Sequence, residues 1–353
     1  MPRKKTAAQT FGGALEQIQN KSHTLSASTI AALTGAGKKD LAAFAKTWVL
    51  IPVERRRRAA QMMVELAEQD FKLDYNLLFR YFLNDEDAQV RTSGIEGLWE
   101  DEDVALVKPM IGFLRSDPSA RVRAAAADAL GRFMLLAEYG RLAETHATLI
   151  GEALLATTRS ASEDLIVRCR AVEALAYWSD DIVREIIEAA YDDAAPQMRA
   201  SAVAAMGRTA DTYWRKITLD ELESPDARMR FEAVRASGEL ENRQATVRLI
   251  ELLDDPDRKV QSAAISALGQ IGSKLAKQAL IDAAASEDET LSGLASEALQ
   301  ELEFASGSDL MLFDLETDQD KGIELDEDDE LESDPDEALD EEEWDDDLIE
   351  DEE

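Results

Sequence analysis

Apolar residues recur along the middle of the chain with a helical period and never with the strict alternation of a strand. From Asp85 onward one template returns: an acidic or Ser-Pro turn, an apolar anchor, and further apolar or small residues four, seven and eight positions later. That spacing puts all four on one helical stripe. The anchors are Val90, Val122, Val167, Met198, Met229, Val260 and Leu291, separated by 32, 45, 31, 31, 31 and 31 residues. Eight positions beyond each stand Leu98, Leu130, Leu175, Met206, Ser237, Leu268 and Leu299. Leu66, 32 residues before Leu98, extends the series into a degenerate first copy from about Glu54.

Positions +4 and +7 are Gly or Ala in every clear copy, from Gly94 and Gly97 to Ala295 and Ala298. Small side chains there allow a neighbouring helix to approach closely, as stacking of like units requires. A second amphipathic run precedes each template, as in Ala245 to Leu253, and Pro118, Pro225 and Pro256 open the following helix where a missing N–H costs nothing. The unit is therefore a helical hairpin, and the expected fold is all-α: an α-solenoid, or armadillo-type superhelix, of about eight hairpins. Its expected extent is 23–305, with clear repeats over 85–303.

The motif Asp-Pro-x-x-x-Val-Arg-x-x-Ala-x-x-Ala-Leu-Gly, as in Asp117 to Gly131, resembles the HEAT repeat and within it the phycobilisome-lyase HEAT-like subgroup, over about 54–303. The resemblance implies a right-handed solenoid whose second helices line the concave face. Two departures stand out. Ser237 and Gln261 break the pattern, and the interval from Val122 to Val167 is 14 residues longer than the others. The excess, around 135–164, is read as a longer helix pair, with a protruding loop as the alternative.

Charge divides the chain further. The formal total is −36. Residues 1–60 carry 11 basic and three acidic groups, whereas 314–353 carry 25 acidic and one basic. Such a terminus cannot bury enough apolar surface to offset chain entropy, so 306–353 is expected to be a disordered acidic tail. Residues 1–22, polar and basic at the start, are expected to be flexible.

Candidate chemistry is sparse. Arg91, Arg123, Arg168, Arg199 and Arg230 each follow an anchor by one residue and an acidic or Ser turn by six. Recurrence in register favours a structural ladder over an anion-binding row. With two histidines and one cysteine, Cys169, the chain lacks the donors of multi-histidine or multi-thiolate metal centres. Iron oxygenases of this repeat type, resembling deoxyhypusine hydroxylase, imply several His-Glu pairs; here His23 precedes Thr24 and His146 precedes Ala147. No cofactor and no catalytic residue is assigned.

Arg55, Arg56, Arg57 and Arg58, with Lys38, Lys39 and Lys46, form a basic end, read as a solvated helix face or as a docking site for an acidic element, including the chain's own tail. Nucleic acid is disfavoured, because the repeat region beyond is acidic. Trp99, Tyr177, Trp178, Tyr213 and Trp214 lie near helix ends, where they are core if buried and interface anchors if exposed on a groove; Trp344 in the tail resembles a short recognition motif. The expectation is a non-enzymatic interaction scaffold for a protein or peptide, with the acidic tail steering basic partners or competing for them. It is expected to be soluble and most simply cytoplasmic, since no stretch of about 18 apolar residues occurs. The alternative implied by the subgroup is a bilin lyase or chaperone-like factor.

Overall fold

The computed structural model describes residues 10–313, and the described chain contains helices, turns and no strand. Residues 1–305 form one compact unit; of the second, 306–353, only the first eight residues are described, as helix. The first unit opens with α1 (Phe11–Gln19) and α2 (Ala27–Ala31). Hairpins follow as α3 (Lys38–Trp48) with α4 (Val53–Gln69), α5 (Asn76–Phe82) with α6 (Ala88–Gly97), α7 (Val107–Ser116) with α8 (Ala120–Glu138), and α9 (Glu144–Thr158) with α10 (Leu165–Leu175). Four more complete the series: α11 (Ile182–Tyr191) with α12 (Pro196–Arg208), α13 (Arg215–Asp220) with α14 (Ala227–Glu239), α15 (Thr246–Glu251) with α16 (Arg258–Ile271), and α17 (Lys274–Ala284) with α18 (Glu289–Phe313). The described chain is an α-solenoid of eight hairpins behind a two-helix start.

Burial follows the stripe. The anchors from Val90 to Val260 are all buried, as are Leu98, Leu130, Leu175, Met206 and Leu268. Successive second helices pack on one another from α4 to α16. A recurring close contact joins position +9 of one unit to +7 of the next. Gly131 faces Ala174, Gly207 faces Ala236, Gly238 faces Ala267 and Gly269 faces Ala298. A methyl group built on Gly207 would lie 2.6 Å from the Ala236 Cα, so this pair of helices touches backbone to backbone. The apolar interior forms two clusters, one from Ala14 to Leu175 and one from Cys169 to Ala298; α10 contributes one face to each.

Three expectations are corrected. The amino-terminal segment is not loose throughout: Thr10 caps α1, and Ala14, Leu15 and Ile18 are buried, because their i, i+1, i+4 spacing gives even a nine-residue helix an apolar stripe. The expected hinge at Ser306-Gly307-Ser308 is helical instead, since α18 continues through it to Phe313, although the first compact unit ends at Ala305. No proline interrupts this stretch, and the acidic run begins only at Asp314. The first hairpin starts at Lys38, earlier than Glu54, since α3 is its first helix.

The 14-residue excess is absorbed as helix: α8 has 19 residues and α9 has 15. Gly140, at φ 68°, then stops α8, with Gly140 N–H donating to the Ala137 carbonyl and Arg141 N–H to that of Leu136. Tail residues 314–353, including Trp344, and the basic start 1–9 lie outside the described residues.

Candidate functional site: an aromatic cleft beside an arginine ladder

Four of the five ladder arginines, Arg91, Arg123, Arg168 and Arg230, bridge consecutive hairpins. Arg91 makes a two-pronged contact with Asp117 (2.9 and 2.9 Å) and donates to the backbone oxygens of Asp85 and Glu86. Arg230 does the same with Asp255 (2.7 and 2.9 Å) and the Ser224 carbonyl. Arg123 reaches Glu163 at 2.6 Å, and Arg168 approaches Asp193 at 3.6 Å. The receiving carboxylate also caps its own turn: Asp117 accepts from Ser119 N–H, Asp193 from Ala195 N–H and Asp255 from Asp257 N–H. Each rung therefore ties a turn to the preceding unit through charge-assisted bonds. The Arg230 guanidinium holds the Asp255 carboxyl below the usual range despite partial burial.

The basic end does not form one open patch. Arg55 donates to the carbonyls of Gln17, Ile18 and His23, securing the end of α1. Arg56 forks onto Asp85 (3.0 and 2.9 Å), the same carboxylate that accepts from Trp48 Nε1 at 2.7 Å. Arg57 pairs with Asp87 and Glu54. Arg58 is the most exposed of the four and lies 3.7 Å from Glu65. Consecutive helical residues point about 100° apart, so the four guanidiniums serve different neighbours.

Three of the singled-out aromatics, Tyr177, Trp178 and Trp214, line one cleft. A cleft of about 780 Å³ is lined by Tyr139, Tyr177, Trp178 and Trp214, with Tyr213 at its side. Trp214 is 1% exposed and forms the floor, whereas Tyr213 and Tyr139 are 52% and 69% exposed. The Trp178 ring lies over Gly151, which a methyl group would push against at 2.8 Å. Trp99, on the α6 side, does not line this cleft. Tyr139 is the residue that sequence reasoning missed: it reaches the cleft only because α8 runs its extra turns.

The rim is acidic. Glu138, Asp180, Asp181, Glu185, Glu188 and Asp211 face two guanidiniums, Arg184 and Arg208. Both are engaged already. Arg184 pairs with Asp211 at 2.7 Å and sits 4.6 Å from the Tyr213 ring centroid; Arg208 donates to the Glu173 carbonyl and lies 3.5 Å from its carboxylate. Burial opposes ionisation of Asp211, yet the Tyr213 amide and Arg184 outweigh it and lower its pKa. Glu138 accepts from the Ser179 amide and hydroxyl, fixing the overhang of α8 on the next unit.

Next to the cleft, α8, α10 and α12 carry a charge network. Arg170 pairs with Glu173 at 2.6 Å and approaches Asp128 at 3.7 Å. Flanking helices crowd the Asp128 carboxyl although its tip stays accessible, and this desolvation pushes its pKa up to about 6 against the pull of Arg170. Burial likewise raises Glu232 and Glu239. Cys169 is a buried free thiol raised by desolvation. His23 lies exposed, and His146 on α9 has a buried Nδ1 without a hydrogen-bond partner. Among the described residues no group of three or more His, Cys, Asp or Glu is placed to hold a metal ion, and no helix is long and apolar enough to cross a membrane.

Fold and repeat together define a class: residues 106–136 and 216–300 match models of HEAT repeats, and the fold is an all-α, HEAT-like solenoid. No curated protein sequence matches the chain significantly. Among solved structures, the complex of CpcE and CpcF of phycocyanin lyase from Nostoc sp. PCC7120 is similar at 20% identity and a TM-score of 0.48, over 64% of this chain and 87% of that one. Human deoxyhypusine hydroxylase in complex with glycerol gives 17%, a TM-score of 0.34, and coverage of 75% and 96%. A Kap95:Nup1 complex gives 13%, a TM-score of 0.41, and coverage of 83% and 46%. None of these likenesses bears on chemistry.

Proposed function

We propose that the protein is a non-enzymatic interaction scaffold whose aromatic cleft binds a basic peptide segment of a partner protein. The observation that carries this reading is the pairing of an aromatic floor and wall with a rim of six carboxylates, opposed by two guanidiniums that are already paired. Lys and Arg side chains gain there from both carboxylates and ring faces, while the exposed tyrosines supply rigid contact area. Flat, centrally placed aromatics dominate binding energy at such surfaces, and rim charges mainly set association rate and its salt dependence.

Selection of displayed 12-residue peptides on the full chain tests it. Enriched sequences should be rich in Lys and Arg around an apolar or aromatic anchor. Their affinity should fall at least about tenfold in a Tyr139→Ala/Tyr213→Ala variant, equivalent to about 1.4 kcal/mol, and should weaken with salt. Enrichment of acidic or charge-neutral peptides, or equal binding by the variant, would overturn the reading.

A further inference from the structure

The ladder has a rung without its acid. Six residues before each ladder arginine the turn residue is Asp85, Asp117, Ser162, Asp193 or Ser224, and Asp255 holds the same place before Gln261. At Ser162 the deficit is made good by the next residue, since Glu163 accepts Arg123 in two prongs. At Ser224 the next residue is Pro225 and no such shift is open. The arginine due to reach Ser224 is Arg199, 25 residues upstream, the same separation as between Arg230 and Asp255. Arg199 accordingly keeps only the bonds to its own turn, from Nη1 to the carbonyls of Asp193 and Ala194, and forms no ion pair among the described residues. The Ser224 hydroxyl makes no hydrogen bond there, while its carbonyl is held by Arg230 at 2.8 Å.

The carboxylates near Ser224 are themselves committed. Glu221 accepts from the Tyr191 hydroxyl, Glu223 pairs with Arg248, and Asp226 caps the Arg228 amide at 2.9 Å. Ser224 is half-buried, with an extended backbone (φ −55°, ψ 136°), between a short 3₁₀ turn and α14, and Pro225 beside it is exposed. What the junction of α12 and α14 lacks is one anionic group, tethered at Ser224 and presented to a guanidinium whose Nη2 and Nε are unengaged.

We infer that Ser224 is a phosphorylation site and that its phosphate completes the missing rung by accepting Arg199. The step is transfer of the terminal phosphoryl group of a nucleoside triphosphate by a serine kinase. A P–O bond to Ser224 Oγ forms, the phosphoanhydride bond breaks, the nucleoside diphosphate leaves, and the hydroxyl proton passes to the kinase's base. The phosphomonoester brings close to two negative charges and three strong acceptor oxygens, which suit a guanidinium fork better than the carboxylates of the other rungs. Modification therefore stiffens one junction of the solenoid and leaves the others unchanged.

The test uses the full chain carrying genetically encoded phosphoserine at 224, compared with its phosphatase-treated form in urea unfolding and hydrogen exchange. The phosphate should slow exchange in α12 and α14 and raise their local closing equilibrium about tenfold, the effect of one charge-assisted hydrogen bond. In an Arg199→Gln background the rise should vanish. Ser224→Asp should reproduce part of it, and Ser224→Ala should match the unmodified chain. Unchanged or faster exchange on phosphorylation, or a gain that persists without Arg199, would overturn the inference. So would peptide mapping of the chain from its own cells, prepared with phosphatase inhibitors, that finds the tryptic peptide Ile217–Arg228 only unmodified.

Discussion

The contact between position +9 of one hairpin and +7 of the next makes one substitution act with opposite signs at different glycines. Replacing glycine by alanine inside a helix contributes about 1 kcal/mol through backbone entropy and propensity. At Gly112, exposed on α7 with nothing within 4 Å of the added methyl, this gain should appear nearly whole, at about 0.5–1 kcal/mol. At Gly207 the methyl would meet the Ala236 Cα at 2.6 Å and its Cβ at 3.0 Å, well inside the optimal carbon separation of about 3.5–4.0 Å. The obstacle is helical backbone and cannot swing away, so overpacking at about 1–3 kcal/mol outweighs the propensity gain. Gly207→Ala should therefore destabilise, by up to about 2 kcal/mol. Gly238→Ala, with Ala267 Cα at 2.9 Å, should follow, and Gly269→Ala, with its nearest contact at 3.2 Å, should be close to neutral. Urea unfolding followed by circular dichroism gives the sign. Hydrogen exchange across α12 and α14 localises the effect, which matters because stacked repeats can open one junction at a time. A Gly207→Ala chain as stabilised as Gly112→Ala would refute the backbone-contact argument.

Other outcomes follow from the same structure. Ser237 occupies a stripe position that is Leu or Met elsewhere and buries an unpaired hydroxyl, so Ser237→Ala should raise stability by about 1 kcal/mol in urea unfolding. Ala210 and Glu241 adopt left-handed backbone (φ 54° and 48°) at the same repeat position as Gly272 (φ 62°); Ala210→Gly and Glu241→Gly should each stabilise by about 1 kcal/mol in the same assay. Asp128, raised to about 6, binds its proton more tightly folded than unfolded, so its contribution is present below pH 4 and lost as pH rises through 6. Stability measured from pH 5 to 7 should fall less with pH in Asp128→Asn than in the parent; identical slopes would refute the desolvation argument. Arg230→Gln, which breaks a two-pronged half-buried pair but leaves Asp255 its Asp257 amide, should cost about 1.5–3 kcal/mol by urea unfolding.

The repeat was legible because burial imposes the same period on sequence and stacking. The stripe at 0, +4, +7 and +8 reads directly as core, and the 31-residue spacing delivers Arg230 to Asp255 without further information. The first rung was hidden: Ala59 stands where the register calls for the arginine, and Arg56, one turn earlier on α4, takes the role. The four-arginine run read as a patch only while its helix had no neighbours; once α1 and the turn at Asp85 are packed against it, three of the four are structural. The cleft was half legible. Tyr177, Trp178, Tyr213 and Trp214 stood out as aromatics at helix ends, but the arrival of Tyr139 beside them depends on how far α8 extends, which local propensity does not specify. Trp214 shows the limit of reading exposure from type, since it sits wholly beneath the residues that surround it.

Because α10 gives Val167, Ala171 and Ala174 to one apolar cluster and Cys169, Val172 and Ala176 at its end to the other, neither half of the solenoid can lose this helix without uncovering the second. Under mechanical load, such an element behaves as a shared keystone. The outer hairpins can peel away one at a time from either end, but the force needed should rise when the front reaches residues 165–175, where a single step must strip both interiors at once.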